Sequence, residues 1–376
     1  MKNLKLPYIL FFAITTSCFA QGKHSFDAES LGGYDYNYFK SPTAVDQDGT
    51  LFSGDQLISS SIYQAVMIDY HYRYMSKENR IRFSISPQAR MLYENYDDSY
   101  WSMTTSAKYD YNIGKNMEFL LEATFKRMNR NGLDGDQDVL VSPLGYYDYG
   151  AISGIQFSPF KDHETTLEGF YKFRNFDPYG VKDLQYNEYG LQFRSEQDFE
   201  RNGLKHSFGI IGYAKKRLYD TYDASSSTVD GIRDWRYINA QVFYDYPIGE
   251  NFEVTPSLEY LVRLDKSADR SGYRQYGPVL RMKFDNDRTK VRTTVEYVSR
   301  NYKSIEAMDS NGPKGELTQY RYTNFKLDVS QALGKNLFIS AEAYSRIRTT
   351  NYTDIGARSF RAYRNQYAGI GLKMEL

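Results

Sequence analysis

From about residue 60 to its last residue, the chain alternates apolar and polar positions with a period of two. In "NMEFLLEATFKR", Met117, Phe119, Leu121, Ala123 and Phe125 alternate with Glu118, Leu120, Glu122, Thr124 and Lys126. Further on, Phe252, Val254, Pro256, Leu258, Tyr260 and Val262 alternate with Glu253, Thr255, Ser257, Glu259, Leu261 and Arg263. A third run sets Leu337, Ile339, Ala341, Ala343 and Ile347 against Ser340, Glu342, Tyr344, Arg346 and Arg348. Successive strand side chains point to opposite faces, so alternation over ten or more residues predicts strands rather than helices. Each run follows another alternating run, joined through Gly114, Gly249 or Gly334 and a polar pair, as a tight turn requires. The phrase "YDYNIGKNMEF" (109–119) and its near copy "YDYPIGENFEV" (244–254) are therefore one hairpin used twice, with an echo at "LGKNLFISAEAY" (333–344).

Reading outward from these anchors predicts short turns at 76–80, 114–116, 160–163, 200–204, 249–251, 286–288 and 334–336. Longer polar segments fall at 40–57, 96–99, 131–143, 177–184, 220–234, 266–272, 305–317 and 351–360. Together they join about sixteen strands, the first expected over about 30–39 although "SLGGYDYNYF" alternates poorly. The strands are longer than the usual globular five or six residues and suit a tilted bilayer crossing of about 9–11 with some overhang. The fold expected is all-β: a transmembrane antiparallel up-and-down β-barrel with short periplasmic turns and longer extracellular loops. A secreted β-sandwich or β-solenoid is the alternative. A sandwich does not need such long strands, and a solenoid would repeat once per turn rather than in hairpins.

Composition agrees with an alternating wall. Tyr occurs 37 times and aromatics make up 16% of the chain, yet mean hydropathy is negative, because only every second residue needs to be apolar. No apolar run long enough for a transmembrane helix follows the first twenty residues. Those twenty read as a signal peptide: Lys2 and Lys5, the apolar "LPYILFFAI", and "CFA" before Gln21. Cleavage after Ala20 leaves 21–376 as a single barrel domain without cysteine; acylation of Cys18 is the rival reading, against which "TTSC" lacks the usual apolar residue. Without Lys2 and Lys5 the 47 to 47 charge balance becomes 45 basic to 47 acidic, and gives no argument for nucleic acid.

The polar face carries charges sorted by depth. Glu118 and Glu122 precede Lys126, Glu253 and Glu259 precede Arg263, and Glu342 precedes Arg346 and Arg348 on strands rising from short turns. On descending strands the order reverses, as with Arg281 and Lys283 before Asp285; Arg80, Arg82 and the pair Arg292, Glu296 depart from it. With Arg300, these are the expected lumen-facing charges: Glu118, Glu122, Lys126, Glu253, Glu259, Arg263, Arg281, Lys283, Glu296, Arg300, Glu342, Arg346 and Arg348. One reading is a salt-bridge lattice stiffening the wall; the other is a permeation path with a cationic constriction above an acidic mouth. Tyr109, Tyr111, Tyr244 and Tyr246 before short turns, and Trp101 at the opposite end of its strand, are expected in the aromatic girdles.

Candidate chemistry is sparse. Asp134, Asp136 and Asp138 have the alternate spacing of a weak calcium candidate, but Val139 and Gly145 stand where an EF-hand needs Gly and Glu, so a solvated turn is the plainer reading. Of four histidines, His206 precedes Ser207 on a strand and faces the other way; only His71, with Asp69 and Arg73, is expected in the lumen. No catalytic or cofactor motif is present, so neither enzyme activity nor a cofactor is expected.

With "YAGIGLKMEL", whose Ile370, Leu372, Met374 and Leu376 share one face, the chain resembles the Gram-negative outer-membrane β-barrel class, and its Tyr-rich strands look like those of Bacteroidota barrels. The closing strand resembles the signal read by barrel-assembly machinery, though it ends in Leu rather than Phe. The resemblance implies the cell outer membrane, contact with its lipid and lipopolysaccharide, insertion by that machinery, and a porin-like channel or small-solute transporter. A non-conducting barrel in a secretion, assembly or surface-anchoring complex is the alternative. The chain looks too short, and without a plug region, for a TonB-dependent transporter.

Overall fold

In the computed structural model, which describes residues 22–47, 49–130, 145–177, 182–223, 233–266, 272–356 and 360–376, the alternating runs are strands. They are β1 (Lys23–Tyr36), β2 (Ala44–Gln47), β3 (Thr50–Ser53), β4 (Ser61–Met75), β5 (Asn79–Leu92), β6 (Tyr100–Gly114), β7 (Met117–Asn129), β8 (Tyr146–Phe157) and β9 (His163–Phe176). There follow β10 (Lys182–Arg201), β11 (Leu204–Asp223), β12 (Arg233–Pro247), β13 (Phe252–Asp265), β14 (Tyr273–Asp285), β15 (Thr289–Asp309), β16 (Gly312–Ala332), β17 (Leu337–Thr350) and β18 (Tyr363–Glu375). β1 and β4–β18 pair in chain order, and β1 also pairs with β18, which closes a sixteen-stranded barrel; β2 and β3 form a separate hairpin in the first long loop. Closure matters in lipid, where an open sheet edge would leave backbone groups unsatisfied.

All seven short turns lie where the sequence puts them. Two strand expectations change. β1 spans Lys23–Tyr36 rather than about 30–39, because its earlier residues find partners on both sides: Asp27 lies opposite Asp69 and Glu375. The expected loop 305–317 is not a loop. β15 and β16 continue past their neighbours as a two-stranded ribbon, irregular between Asn301 and Met308, and turn only at 310–311. One edge of that ribbon is covered by 351–354, with Thr353 and Asp354 donating to the Met308 carbonyl. Polar composition hid this strand because outside the bilayer neither face of a ribbon needs to be apolar.

The seam explains two glycines in strands. From β4 the Tyr63 ring lies across β1 and β18, and its hydroxyl donates to Glu342 of β17 at 2.8 Å. A Cβ at Gly33 would stand 2.8 Å from that ring, and one at Gly369 only 2.2 Å from its hydroxyl oxygen. Arg90 of β5 reaches the same place, pairing with Asp35 of β1 at 2.7 Å and Glu342 at 3.1 Å. Side chains from β1, β4, β5 and β17 thus tie together the region where the first and last strands meet.

Candidate functional site: the lumen wall and its rims

Strand register assigns every side chain to one face. The outward positions hold exposed apolar residues from rim to rim, among them Leu121, Leu167, Leu191, Ile238, Val242, Leu258 and Ile370. Tyr111 and Tyr246 lie exposed near the short turns. Tyr109 and Tyr244 join them on that face; the first donates to Asn79 and the second contacts His206 at 3.0 Å. Trp101 is exposed at the opposite rim.

Inside, the expected lumen residues share the inward parity. Glu118, Glu122 and Lys126 face inward on β7; Glu253, Glu259 and Arg263 on β13; Arg281 and Lys283 on β14; Glu296 and Arg300 on β15; Glu342, Arg346 and Arg348 on β17. The register brings some of them together and keeps others apart. Glu118 accepts from Arg80 at 2.6 Å, and Arg80 and Arg82 also hold Asp110. Lys108 and Glu122 pair at 2.7 Å. Arg80 and Arg82, the exceptions to depth sorting, are thus the counterions of a low acidic cluster. Glu259 and Glu296 accept instead from the side-chain amides of Asn239 and Asn324. Arg281, Lys283 and Arg292 are exposed to the lumen and make no ion pair within 4 Å with a described residue.

Higher in the lumen the wall changes character. Arg174 clasps Asp148 through two hydrogen bonds of 2.6 and 2.9 Å, and Lys172 adds a contact of 3.1 Å. Arg217 and Lys215 share Glu188 at 2.6 and 3.3 Å. Around these pairs runs a band of buried inward-facing aromatics, including Tyr146, Tyr186, Tyr219, Trp235, Tyr237, Tyr273, Tyr302, Tyr320 and Tyr322. Guanidinium groups lie over their rings: Arg174 on Tyr146 at 3.7 Å, Arg217 on Tyr186 at 4.5 Å, Arg263 on Trp235 and Tyr273 at 4.5 and 4.4 Å, Arg300 on Tyr273 at 4.4 Å, and Arg348 on Tyr363 at 4.5 Å. The cations sit on rising strands and the rings largely on the descending neighbours. Each such contact contributes about 0.5–2 kcal/mol, depending on desolvation.

This band was missed by the rule that apolar residues face lipid. Its signal is in the parity: Tyr146 is in phase with Asp148, Tyr219 with Arg217, and Trp235 and Tyr237 with each other. Tyrosine can face either environment, so phase with a charged neighbour decides its side. The net arrangement is stratified. Arg90, Lys126, Lys172, Arg174, Lys215, Arg217, Arg263, Arg300, Arg346 and Arg348 face Asp35, Asp148, Glu188 and Asp265 in the outer half. Carboxylates predominate toward the short turns.

The mouth holds a cavity of about 200 Å³ lined by Asp35, Arg90, Tyr100 and Tyr367 from the wall and Tyr38 and Phe39 from the first long loop. Tyr38 donates to Asp98 at 2.6 Å, and burial, with that carboxylate beside it, holds its phenol well above the usual range.

The histidines are elsewhere. His71 faces inward with Asp69 and Arg73 at the periplasmic end of β4. His206 lies outward while Ser207 faces inward and donates to Asp245 at 2.7 Å. Register also brings His163 within 3.1 Å of Ser195, a contact sequence spacing could not reveal. It lies on the outward face at the periplasmic rim, where the ring also contacts Thr165 at 3.0 Å and Gln197 at 3.2 Å. The calcium candidate Asp134, Asp136 and Asp138 and the signal segment 1–20 lie outside the described residues. Among the described residues no group of three or more His, Cys, Asp or Glu could hold a metal ion.

A closed barrel with an apolar outer band, aromatic rims and a polar, solvent-exposed interior defines the class: this is an outer-membrane β-barrel protein. No family model matches the chain, and no curated protein matches it. Among solved structures it is similar to the siderophore receptor PirA from Pseudomonas aeruginosa (9% identity, TM-score 0.45, covering 94% of this chain and 80% of that one). It is also similar to OccAB3 from Acinetobacter baumannii (11%, TM-score 0.44, 94% and 99%) and to CdiB from Acinetobacter baumannii (8%, TM-score 0.48, 93% and 60%). The chain thus spans less than two thirds of CdiB. Likenesses this distant carry no argument about function.

Proposed function

We propose that the protein is a porin-like channel for small polar solutes rather than an enzyme or a silent scaffold. The observation that supports this reading is the exposure of charged side chains along the inward face. The side chains of Arg82, Lys108, Arg194 and Lys326 on that face are 40%, 39%, 47% and 52% exposed. Charged side chains keep such exposure only in water, and sixteen strands enclose enough space for an aqueous path. The lattice reading and the path reading then describe different parts of one wall. Paired charges on β5–β11 stiffen it, while Arg281, Lys283 and Arg292 leave positive charge facing the path. The Bacteroidota origin remains a proposal resting on the tyrosine-rich strands alone.

Purified protein in planar bilayers is expected to give stepwise currents, and Lys283→Glu is expected to shift the reversal potential in a salt gradient toward cation preference. A folded barrel that gives no current, and co-purifies from mild detergent with stoichiometric partners, would support the non-conducting alternative instead.

A further inference from the structure

The mouth cavity is lined by charges that closure of the barrel does not balance. Asp35, Arg90 and Arg130 border it from the wall and Asp98 from a loop, with Phe39 and Leu92 as its apolar ground. Arg90 is shared by two carboxylates, Asp35 at 2.7 Å and Glu342 at 3.1 Å, and Tyr63 also donates to Glu342. One guanidinium thus serves two negative charges. The shortfall falls on Asp35, which is 4% exposed: Arg90 holds its Oδ2, but its buried Oδ1 has no hydrogen-bond partner. A buried carboxylate oxygen without a donor costs free energy that a bound donor recovers.

A charge of opposite sign lines the same cavity. Arg130 follows β7 in phase with the inward Lys126, lies over the Tyr100 ring at 5.1 Å, and makes no ion pair within 4 Å with a described residue. Asp35 and Arg130 therefore border one space of about 200 Å³ without pairing with each other. The first long loop is fixed where it enters that space. Asn37, fully buried with a φ of 55°, donates to the Ser41 and Arg364 carbonyls at 2.9 and 2.8 Å, and Asn365 donates to the Asn37 carbonyl at 3.1 Å. Tyr38, the next residue, is held by Asp98. The tyrosine rings of the lining are already engaged: Tyr344 stacks on Tyr367, Arg90 lies over Tyr367 at 4.8 Å, and Tyr38 packs on Phe39. That counts against a sugar, which needs an open ring face to stack on.

We propose that the mouth cavity binds a zwitterionic α-amino acid, its ammonium on Asp35 and its carboxylate on Arg130. An ammonium supplies the donors that Oδ1 lacks, and a planar guanidinium matches a carboxylate. The amino acid's side chain is left to Phe39 and Leu92, which suits an aliphatic one. A simple amine or a simple carboxylate would satisfy one of the two charges and leave the other. The assignment rests on the reading of the lumen as an aqueous path, for which it names a solute class.

The test is titration calorimetry of the folded barrel in neutral detergent with L-leucine, 3-methylbutylamine, 4-methylpentanoate and glucose. Wild-type protein is expected to bind L-leucine about tenfold or more tighter than the other three, because each half molecule forfeits one charged hydrogen-bonded contact. R130Q is expected to weaken L-leucine about tenfold and leave 3-methylbutylamine unchanged. D35N is expected to weaken L-leucine and the amine but not 4-methylpentanoate. Heat-modifiable gel migration checks that each variant is folded, and R130Q decides alone if D35N is not. Equal binding of L-leucine and either half molecule, tighter binding of glucose, or undiminished L-leucine binding by folded R130Q would overturn the proposal. Planar-bilayer currents separate it from the channel reading: currents without selective binding remove the site and leave the channel, and selective binding without currents does the reverse.

Discussion

Replacing Asp148 with Asn tests whether the paired half of the lumen wall is held together as its geometry indicates. Asp148 is 7% exposed and accepts two hydrogen bonds from Arg174 and one contact from Lys172. The Asn keeps the shape and removes the charge that both cations share. Breaking a buried pair from one side costs about 3–5 kcal/mol, because the remaining charge stays buried. Arg174 has little room to escape, with its side chain 10% exposed and its guanidinium 3.7 Å from the Tyr146 ring centre. Lys172 is 33% exposed and can reach water, which places the expected loss near the lower end, about 3 kcal/mol. The matched control is Asp328→Asn: Lys326 and Asp328 lie 2.9 Å apart but are 52% and 44% exposed, and such a pair contributes at most about 1 kcal/mol. Reversible urea unfolding in lipid vesicles, followed by the fluorescence of Trp101 and Trp235, measures both. The double variant D148L/R174M should recover most of the loss, since it removes the uncompensated guanidinium. If D148N costs no more than D328N, or if the double variant is no better than D148N, the reasoning is wrong.

Two other perturbations probe the seam and the lipid face. Gly369→Ala places a methyl group against the Tyr63 hydroxyl and should break its bond to Glu342, costing about 1–3 kcal/mol as overpacking does; the gel temperature at which the compact band is lost should fall, and the further change Y63F should restore part of it. Leu258→Arg puts a charge on an outward position that is 62% exposed and lies midway along β13. The expected cost is about 2–4 kcal/mol in vesicles, and a cost near zero would mean that this face does not meet lipid.

The hairpin phrase at 109–119 shows how far local pattern reaches. Its two tyrosines, its glycine-led turn and the alternation that follows predict strand, turn and outward face. The structure puts Tyr109 and Tyr111 outward, with Asp110 between them facing Arg80 and Arg82. The same logic fails at 305–317, where polar residues continue a ribbon above the membrane, and at β1, where Gly33 interrupts the alternation because the Tyr63 ring lies against it.

Parity is a local property: once a residue is in a strand, its face follows from whether its number is odd or even, and the bilayer's demand for an apolar outer face writes that parity into the sequence. The strand type, the seven short turns, most long loops and the inward charges were therefore determined by the sequence alone. Which charges meet was decided by tertiary structure. Contact between Arg90 and Glu342, on strands that are not neighbours, depends on the stagger of strands around a closed barrel, a quantity to which every hairpin contributes, while that between His163 and Ser195 follows from the register of the β9–β10 pair. The inward Arg–Tyr band becomes visible only when strand pairing sets residues from several hairpins side by side.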